Sequence, residues 1–373
     1  MRKLSERHRL YLIRKALIGQ RRVQRNSRVT IKKISRYRMT APEIMDFDEN
    51  YDTTTKFISK LRRYALVKRL HVFIDMSFVQ EIAPDAALVL AAEIQRCMAI
   101  SKGCINGKNP KKTRPMRLLR GLKFHELLGF HSGVLADDND DALEYIHMEC
   151  GASGRTDFFP AVLKLVLGSK ARPSSTGAKN RLTEAWNEAL ANATQHGYEN
   201  TSLLRYQVSD NHRWWMAGYR DTRNKEAIFM VYDQGVTIPA DLPLRWSESF
   251  SDIIVKAGGI VRLGKGSIDD ELLMNAMTVG RTRRTDQRGR GWGFNNMHAL
   301  LGGYHADDGN APHEALEEQQ KRSGGSLRIL SRRGRYLYHS GAGAKVSVQS
   351  EPFWGTLIVW RLKGNDKIVW SDE

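Results

Sequence analysis

One stretch limits what this chain can fold into more than any other: Glu184–Tyr198, Glu-Ala-Trp-Asn-Glu-Ala-Leu-Ala-Asn-Ala-Thr-Gln-His-Gly-Tyr. Ala and Leu are dense, and no Pro or Gly occurs before Gly197, so the stretch reads as helix. Leu182, Ala185, Ala189 and Ala193 lie about one turn apart and make a narrow apolar stripe. On another face Glu184, Glu188, Asn192 and His196 recur every four residues and stack in one row. A carboxylate one turn before a carboxamide suits a metal-bound phosphate. Asn offers an oxygen to Mg²⁺, and Glu orients or deprotonates a water beside it. Taken alone, the row reads more readily as a solvated helix face.

Two later stretches change that weighting. Ile228–Pro239, Ile-Phe-Met-Val-Tyr-Asp-Gln-Gly-Val-Thr-Ile-Pro, reads as a buried strand ending in Asp233, Gly235 and Pro239. Arg288–Phe294, Arg-Gly-Arg-Gly-Trp-Gly-Phe, places three alternate glycines before a helical pattern. Such glycines let backbone N–H groups approach an anion at a helix N-terminus.

In that order the stretches resemble the boxes of the GHKL ATPase superfamily, which includes gyrase-type topoisomerases, heat-shock chaperones, mismatch-repair proteins and sensor histidine kinases. Here the boxes are Glu188-Ala-Leu-Ala-Asn192-Ala-Thr-Gln-His196, Asp233-Gln-Gly235-Val-Thr-Ile-Pro239 and Gly289-Arg-Gly291-Trp-Gly293-Phe. A late Gly355-Thr356 before Leu-Ile-Val-Trp is similar to the last box, and the resemblance covers about residues 155–365. It implies ATP and Mg²⁺ as ligand and cofactor, with Asn192 on the metal and Glu188 as the general base. It also implies Asp233 as acceptor for the adenine amino group, Gly235 as the point where backbone approaches the base, and Thr356 supporting the adenine end. Gly289, Gly291 and Gly293 would cradle the phosphates, and His196 sits at a position where the family often has His or Lys. One departure is Thr237, which stands at the second glycine of the family's Asp-x-Gly-x-Gly pattern and puts the detail of the lid hinge in question. The implied fold is α+β, a Bergerat-type α/β sandwich with a helix layer on a mixed, mostly antiparallel sheet. Three strands are expected to finish it: Ser326–Ser331, Lys345–Gln349 and Thr356–Leu362.

The first half of the chain reads differently. Residues 40–62 look like a polar lead-in, followed by a strand at Leu70–Ile74, an apolar helix at Leu88–Met98, a Gly-, Lys- and Pro-rich loop at Ser101–Pro115, and a helix at Leu118–Phe130. Over roughly residues 63–135 this strand–loop–helix pattern is similar to the STAS domain of anti-sigma-factor antagonists. The position where that family often carries a phosphorylated Ser is here Asp85-Ala86-Ala87, which has no hydroxyl. His125-Glu126 lacks the continuation of a phospho-acceptor box and reads as a partly buried or surface histidine. The expected organisation is a basic tail over 1–40, a small STAS-like α/β domain over 41–150 and the ATP-binding domain over 151–373.

The net charge is +18, and residues 1–38 carry fourteen Lys and Arg against one acid, Glu6. A basic tail of this kind contacts nucleic acid or an acidic protein partner, or simply stays solvated. Three cysteines without metal-ligand spacing, no long apolar run and no apolar signal core predict a cytoplasmic protein with no membrane segment. Three functions stay open: an ATPase whose nucleotide state drives a conformational or homodimerisation switch, a serine/threonine kinase of the anti-sigma type, and an ATP-sensing scaffold without turnover.

Overall fold

The computed structural model describes residues 36–101, 105–130, 142–152, 176–198, 202, 204, 214–245, 269–278, 301, 325–340 and 342–363. Of 176–182, 195–196 and 243–245 it describes the backbone alone. Most of the basic tail and the glycines 289, 291 and 293 lie outside these residues.

In the first segment β1 (Arg36–Thr40), β3 (His71–Asp75) and β5 (Ile105–Lys108) form a parallel sheet in the order β1-β3-β5. A short parallel pair, β2 (Ile44–Met45) and β4 (Glu81–Ile82), lies beside it. Two long helices follow their strands: α1 (Tyr51–Arg62), which runs on into a π-turn over Arg63–Val67, and α2 (Pro84–Ser101). Two shorter ones, α3 (Thr113–Gly121) and α4 (Phe124–Leu127), stand where one helix is expected. The break falls at Lys123, whose φ is 55°. His125, in α4, is buried, with Nε2 2.8 Å from the Asn109 side-chain oxygen.

The second segment is an antiparallel sheet in the order β6-β7-β8-β10-β9. Its strands are β6 (Leu143–Gly151), β7 (Trp214–Asp221), β8 (Glu226–Asp233), β9 (Gly325–His339) and β10 (Gly343–Lys363). The helices are α5 (Thr176–Ala191), α6 (Ile238–Arg245) and α7 (Asp269–Thr278). The chain is therefore α+β. The two strands expected at Lys345–Gln349 and Thr356–Leu362 are one strand, β10, with register shifts between Val348 and Phe353 and between Phe353 and Thr356. A bulge keeps a strand in its sheet while breaking its pairing pattern, so the sequence between looks like a loop.

Both faces of this sheet are covered, which explains its unbroken apolar runs. Phe229, Val231, Trp214, Met216, Ile358 and Trp360 face Ala185, Trp186, Ala189 and Leu190 of α5 and Leu273 and Met277 of α7. Phe229 and Trp360 stack with ring centroids 4.6 Å apart. The alternate residues, Trp215, Ala217, Ile228, Met230, Tyr232, Leu357 and Val359, share a core with α1 and α2 of the first segment. Trp214 and Trp215 thus point to opposite faces, as consecutive strand residues must, and both are buried. The sequence reading anticipates one helix layer on this sheet; the first segment supplies a second.

Candidate functional site

The apolar stripe of α5 seats the helix on the sheet, with Ala185, Ala189 and Ala193 buried. That places the polar row along one flank. Glu184 is exposed, whereas Glu188 is half-buried. Asn192 Nδ2 donates to Glu188 Oε1 at 3.1 Å. This bond fixes the amide so that its oxygen is the end turned away from the carboxylate. Burial pushes the Glu188 carboxyl up, and the Asn192 hydrogen bond opposes that only in part.

At Asn192 the helix widens into a π-turn, Asn192–His196, closed by Gly197 N–H donating to the Asn192 carbonyl at 2.8 Å. Single π-turns inside or at the end of α-helices are frequent at functional sites, because the extra residue redirects a side chain. Here the turn delivers the backbone of Gly197 against the end of β8. Val236 N–H donates to the Gly197 carbonyl at 2.6 Å, and Gln234 N–H donates to the Tyr198 hydroxyl at 3.1 Å. A side chain on Gly235 would stand 2.2 Å from the Gly197 carbonyl oxygen, so only glycine permits this approach.

Asp233 ends β8 opposite Thr356 of β10 and Trp214 of β7. It is 6% exposed. Its Oδ1 accepts from Gly235 N–H at 2.8 Å, and the backbone of Thr356 also donates to the carboxylate. Among the described residues no cation pairs with it. Burial therefore dominates over the two backbone bonds and pushes the carboxyl up to about 8. Gly355 precedes Thr356 with φ +86°, and a Cβ there would meet the Asp233 carbonyl oxygen at 1.9 Å.

Thr356 completes the corner. Its hydroxyl lies 3.1 Å from the hydroxyl of Ser331 on β9, and Ser331 Oγ accepts from Ile238 N–H at 2.9 Å, which ties the start of α6 to the sheet. The departure at Thr237 has a structural account. Its carbonyl accepts from Ala240 and Asp241 N–H and opens α6, and its φ is not positive, so no glycine is required there.

Of the residues expected to form one site, the structure brings Asn192, Asp233, Gly235 and Thr356 to one corner, with Glu188 one helical turn back. Gly289, Gly291, Gly293 and the His196 side chain lie outside the described residues. Sequence reasoning missed Ser331, Tyr198 and Gln234. Ser331 is found only through the β9–β10 register, which sets it opposite Thr356. Among the described residues no cluster of three or more His, Cys, Asp or Glu could hold a metal ion. Among them, too, no helix is long and apolar enough to cross a membrane.

Compared with known proteins, the chain matches no protein-family model and no curated sequence. Fold and site define the class: an α+β protein whose five-stranded antiparallel sheet carries, at the end of β8, a buried carboxylate with no cation partner among the described residues, beside a π-turned helix end.

Proposed function

We propose that the chain binds Mg-ATP in a Bergerat-type site of the GHKL kind and hydrolyses it, the nucleotide state driving a conformational or dimerisation switch. The observation that carries this reading is Asp233. A buried carboxylate held by backbone N–H groups, with no cation beside it among the described residues, is costly to keep and suits a ligand that brings its own donors. An adenine amino group is such a donor.

The other residues fit the same ligand. Asn192 would present its oxygen to Mg²⁺, which commonly takes one or two protein oxygens and the rest from phosphates and water. The metal supplies charge neutralisation between phosphates. Glu188 would take the proton of the attacking water, and its raised pKa moves it toward the range useful for a general base. Thr356, fixed by Ser331, would support the base. The parallel β3–α2–β5 unit supports the STAS-like reading of the first segment. We extend the proposal to a nucleic-acid or acidic-protein contact through the basic tail.

The test is phosphate release from Mg-ATP by the purified chain, with binding titrated in the same samples and radiolabel followed onto protein. Glu188→Gln is expected to cut turnover by about 10²–10⁴-fold with affinity nearly unchanged. Asn192→Ala should weaken binding only when Mg²⁺ is present. Binding without phosphate release or label transfer would leave a scaffold, and label on a protein would make the chain a kinase. Absence of ATP binding would overturn the reading.

A further inference from the structure

We propose that Glu93, in α2 of the first segment, is a positioning residue for the nucleotide corner, acting from the opposite face of the sheet through Gln234 and Tyr232. The inference rests on the nucleotide reading above and adds to it that the first segment is part of the site's frame.

Glu93 has no exposed surface, and its carboxylate collects donors from four side chains. Arg62 reaches it with Nε at 2.8 Å and Nη2 at 2.7 Å, and Arg96 with Nη2 at 2.7 Å from both oxygens. The remaining two donors come from the end of β8 and the turn after it. Tyr232 OH lies 2.8 Å from Oε1, and Gln234 Nε2 donates to the same oxygen at 3.1 Å.

These last two contacts bracket Asp233 in the chain. Tyr232 precedes it on β8 and points to the first segment's face, and Gln234 follows it in the turn. The Tyr232 hydroxyl also lies 2.9 Å from the Trp354 carbonyl, so its single proton serves two acceptors. Trp354 adjoins Gly355, which packs on the Asp233 carbonyl, and Thr356, which donates to the Asp233 carboxylate. One carboxylate therefore touches both backbone arms that shape the corner, directly at Gln234 and through one hydroxyl at Trp354.

Stability alone is a poor reason for this arrangement. Buried Arg–Glu–Arg sets rarely stabilise more than apolar packing of equal volume, because desolvation offsets the attraction. Their directional hydrogen bonds do something packing cannot, which is to hold a turn in one position. Gln234 uses its amide this way: Nε2 is committed to Glu93, while its buried Oε1 has no hydrogen-bond partner among the described residues.

The experiment compares full-length wild type, Gln234→Met, Glu93→Gln and the double variant. Gln234→Met keeps both arginine pairs of Glu93 and cuts only the link to the turn. It is expected to weaken Mg-ATP binding by about tenfold or more, the usual weight of a hydrogen bond to a charged group. The thermal midpoint should stay close to wild type. Since Glu93 and Gln234 act through one bond, their effects on affinity should be strongly non-additive in the double variant. Amide exchange at Gly235 and Val236 should speed up in Gln234→Met without nucleotide, while amides of α5 near Ala189 stay protected. Unchanged affinity in Gln234→Met, additive effects, or unchanged exchange at Gly235 would each overturn the positioning role. If wild type itself fails to bind Mg-ATP, the nucleotide reading falls, and the exchange result still decides whether Glu93 holds the turn.

Discussion

The two faces of the five-stranded sheet bury carboxylates in opposite ways. On the face toward the first segment, Glu93 is surrounded by two guanidinium groups. Burial alone would raise its pKa, but Arg62 and Arg96, by charge and by hydrogen bond, hold it down to about 2. At the end of β8 Asp233 is also buried, receives only backbone N–H groups among the described residues, and is pushed up to about 8. The difference lies in what supplies the compensating charge. Glu93 finds it inside the protein and is satisfied before any ligand arrives. Asp233 has none among the described residues, and on the proposed reading a ligand's donors would complete it.

The first way to break this comparison is to remove the satisfied carboxylate. Glu93→Leu leaves two arginines buried beside a charge that is gone, and urea unfolding should show a loss of about 3–5 kcal/mol. A loss near zero would mean that the arginines find other partners and that the two faces differ less than their charges indicate.

A smaller effect is expected at the edge of the Asp233 corner. Gly355→Ala forces a Cβ into a left-handed conformation and against the Asp233 carbonyl, so part of the turn must move. The strained conformation alone costs about 1–3 kcal/mol, and ATP affinity should fall with it. A variant with wild-type stability and affinity would show that the corner is more pliant than its close contacts suggest.

The finest distinction is in pH dependence. The folded pKa of Asp233 lies above its unfolded value of 3.8, so its contribution to stability is complete below that value and is lost as pH rises through about 8. On the proposed reading ATP binding should run the other way, because an adenine amino group would donate to the ionised carboxylate. Affinity should tighten by up to about tenfold, or ~1.4 kcal/mol, per pH unit as pH rises toward 8. Asp233→Asn should weaken binding and flatten both slopes. Glu93 titrates below this window and leaves it undisturbed: its stability contribution is present above the unfolded value of 4.5 and is lost only as pH falls through about 2.

Much of the corner was legible in the sequence. The α5 stripe follows the helical period, and Ala185, Ala189 and Ala193 are buried together. The run Ile228–Tyr232 ends at Asp233 as a buried strand should, whereas Gly235, expected to bring backbone to a base, packs against the backbone of Gly197. Other elements gave weaker signals. The helix α1 was hidden by Asp52-Thr-Thr-Thr, a poor helix-forming start, although Phe57, Ile58 and Leu61 lie on one buried face. The strand β5 was hidden by glycine and lysine, since among its residues only Ile105 is buried. Glu93 falls inside the apolar helix expected at Leu88–Met98, where nothing local marks it. Its partners stand from 3 to 141 residues away along the chain, beyond the reach of any local pattern.

By itself the sequence determined the helix with its buried alanine stripe at Ala185, Ala189 and Ala193, the buried strand that ends at Asp233, and the order Glu188, Asn192, Asp233, Gly235, Thr356 in which the candidate chemistry appears. Those properties depend on neighbours a few residues apart, and local periodicity records them. Only the tertiary structure decided that the first segment covers one face of the sheet, that β10 is a single strand, and that one buried carboxylate is neutralised while the other is left waiting. Charge state and solvation depend on which distant groups are brought within a few ångströms, and that is set by packing rather than by sequence spacing.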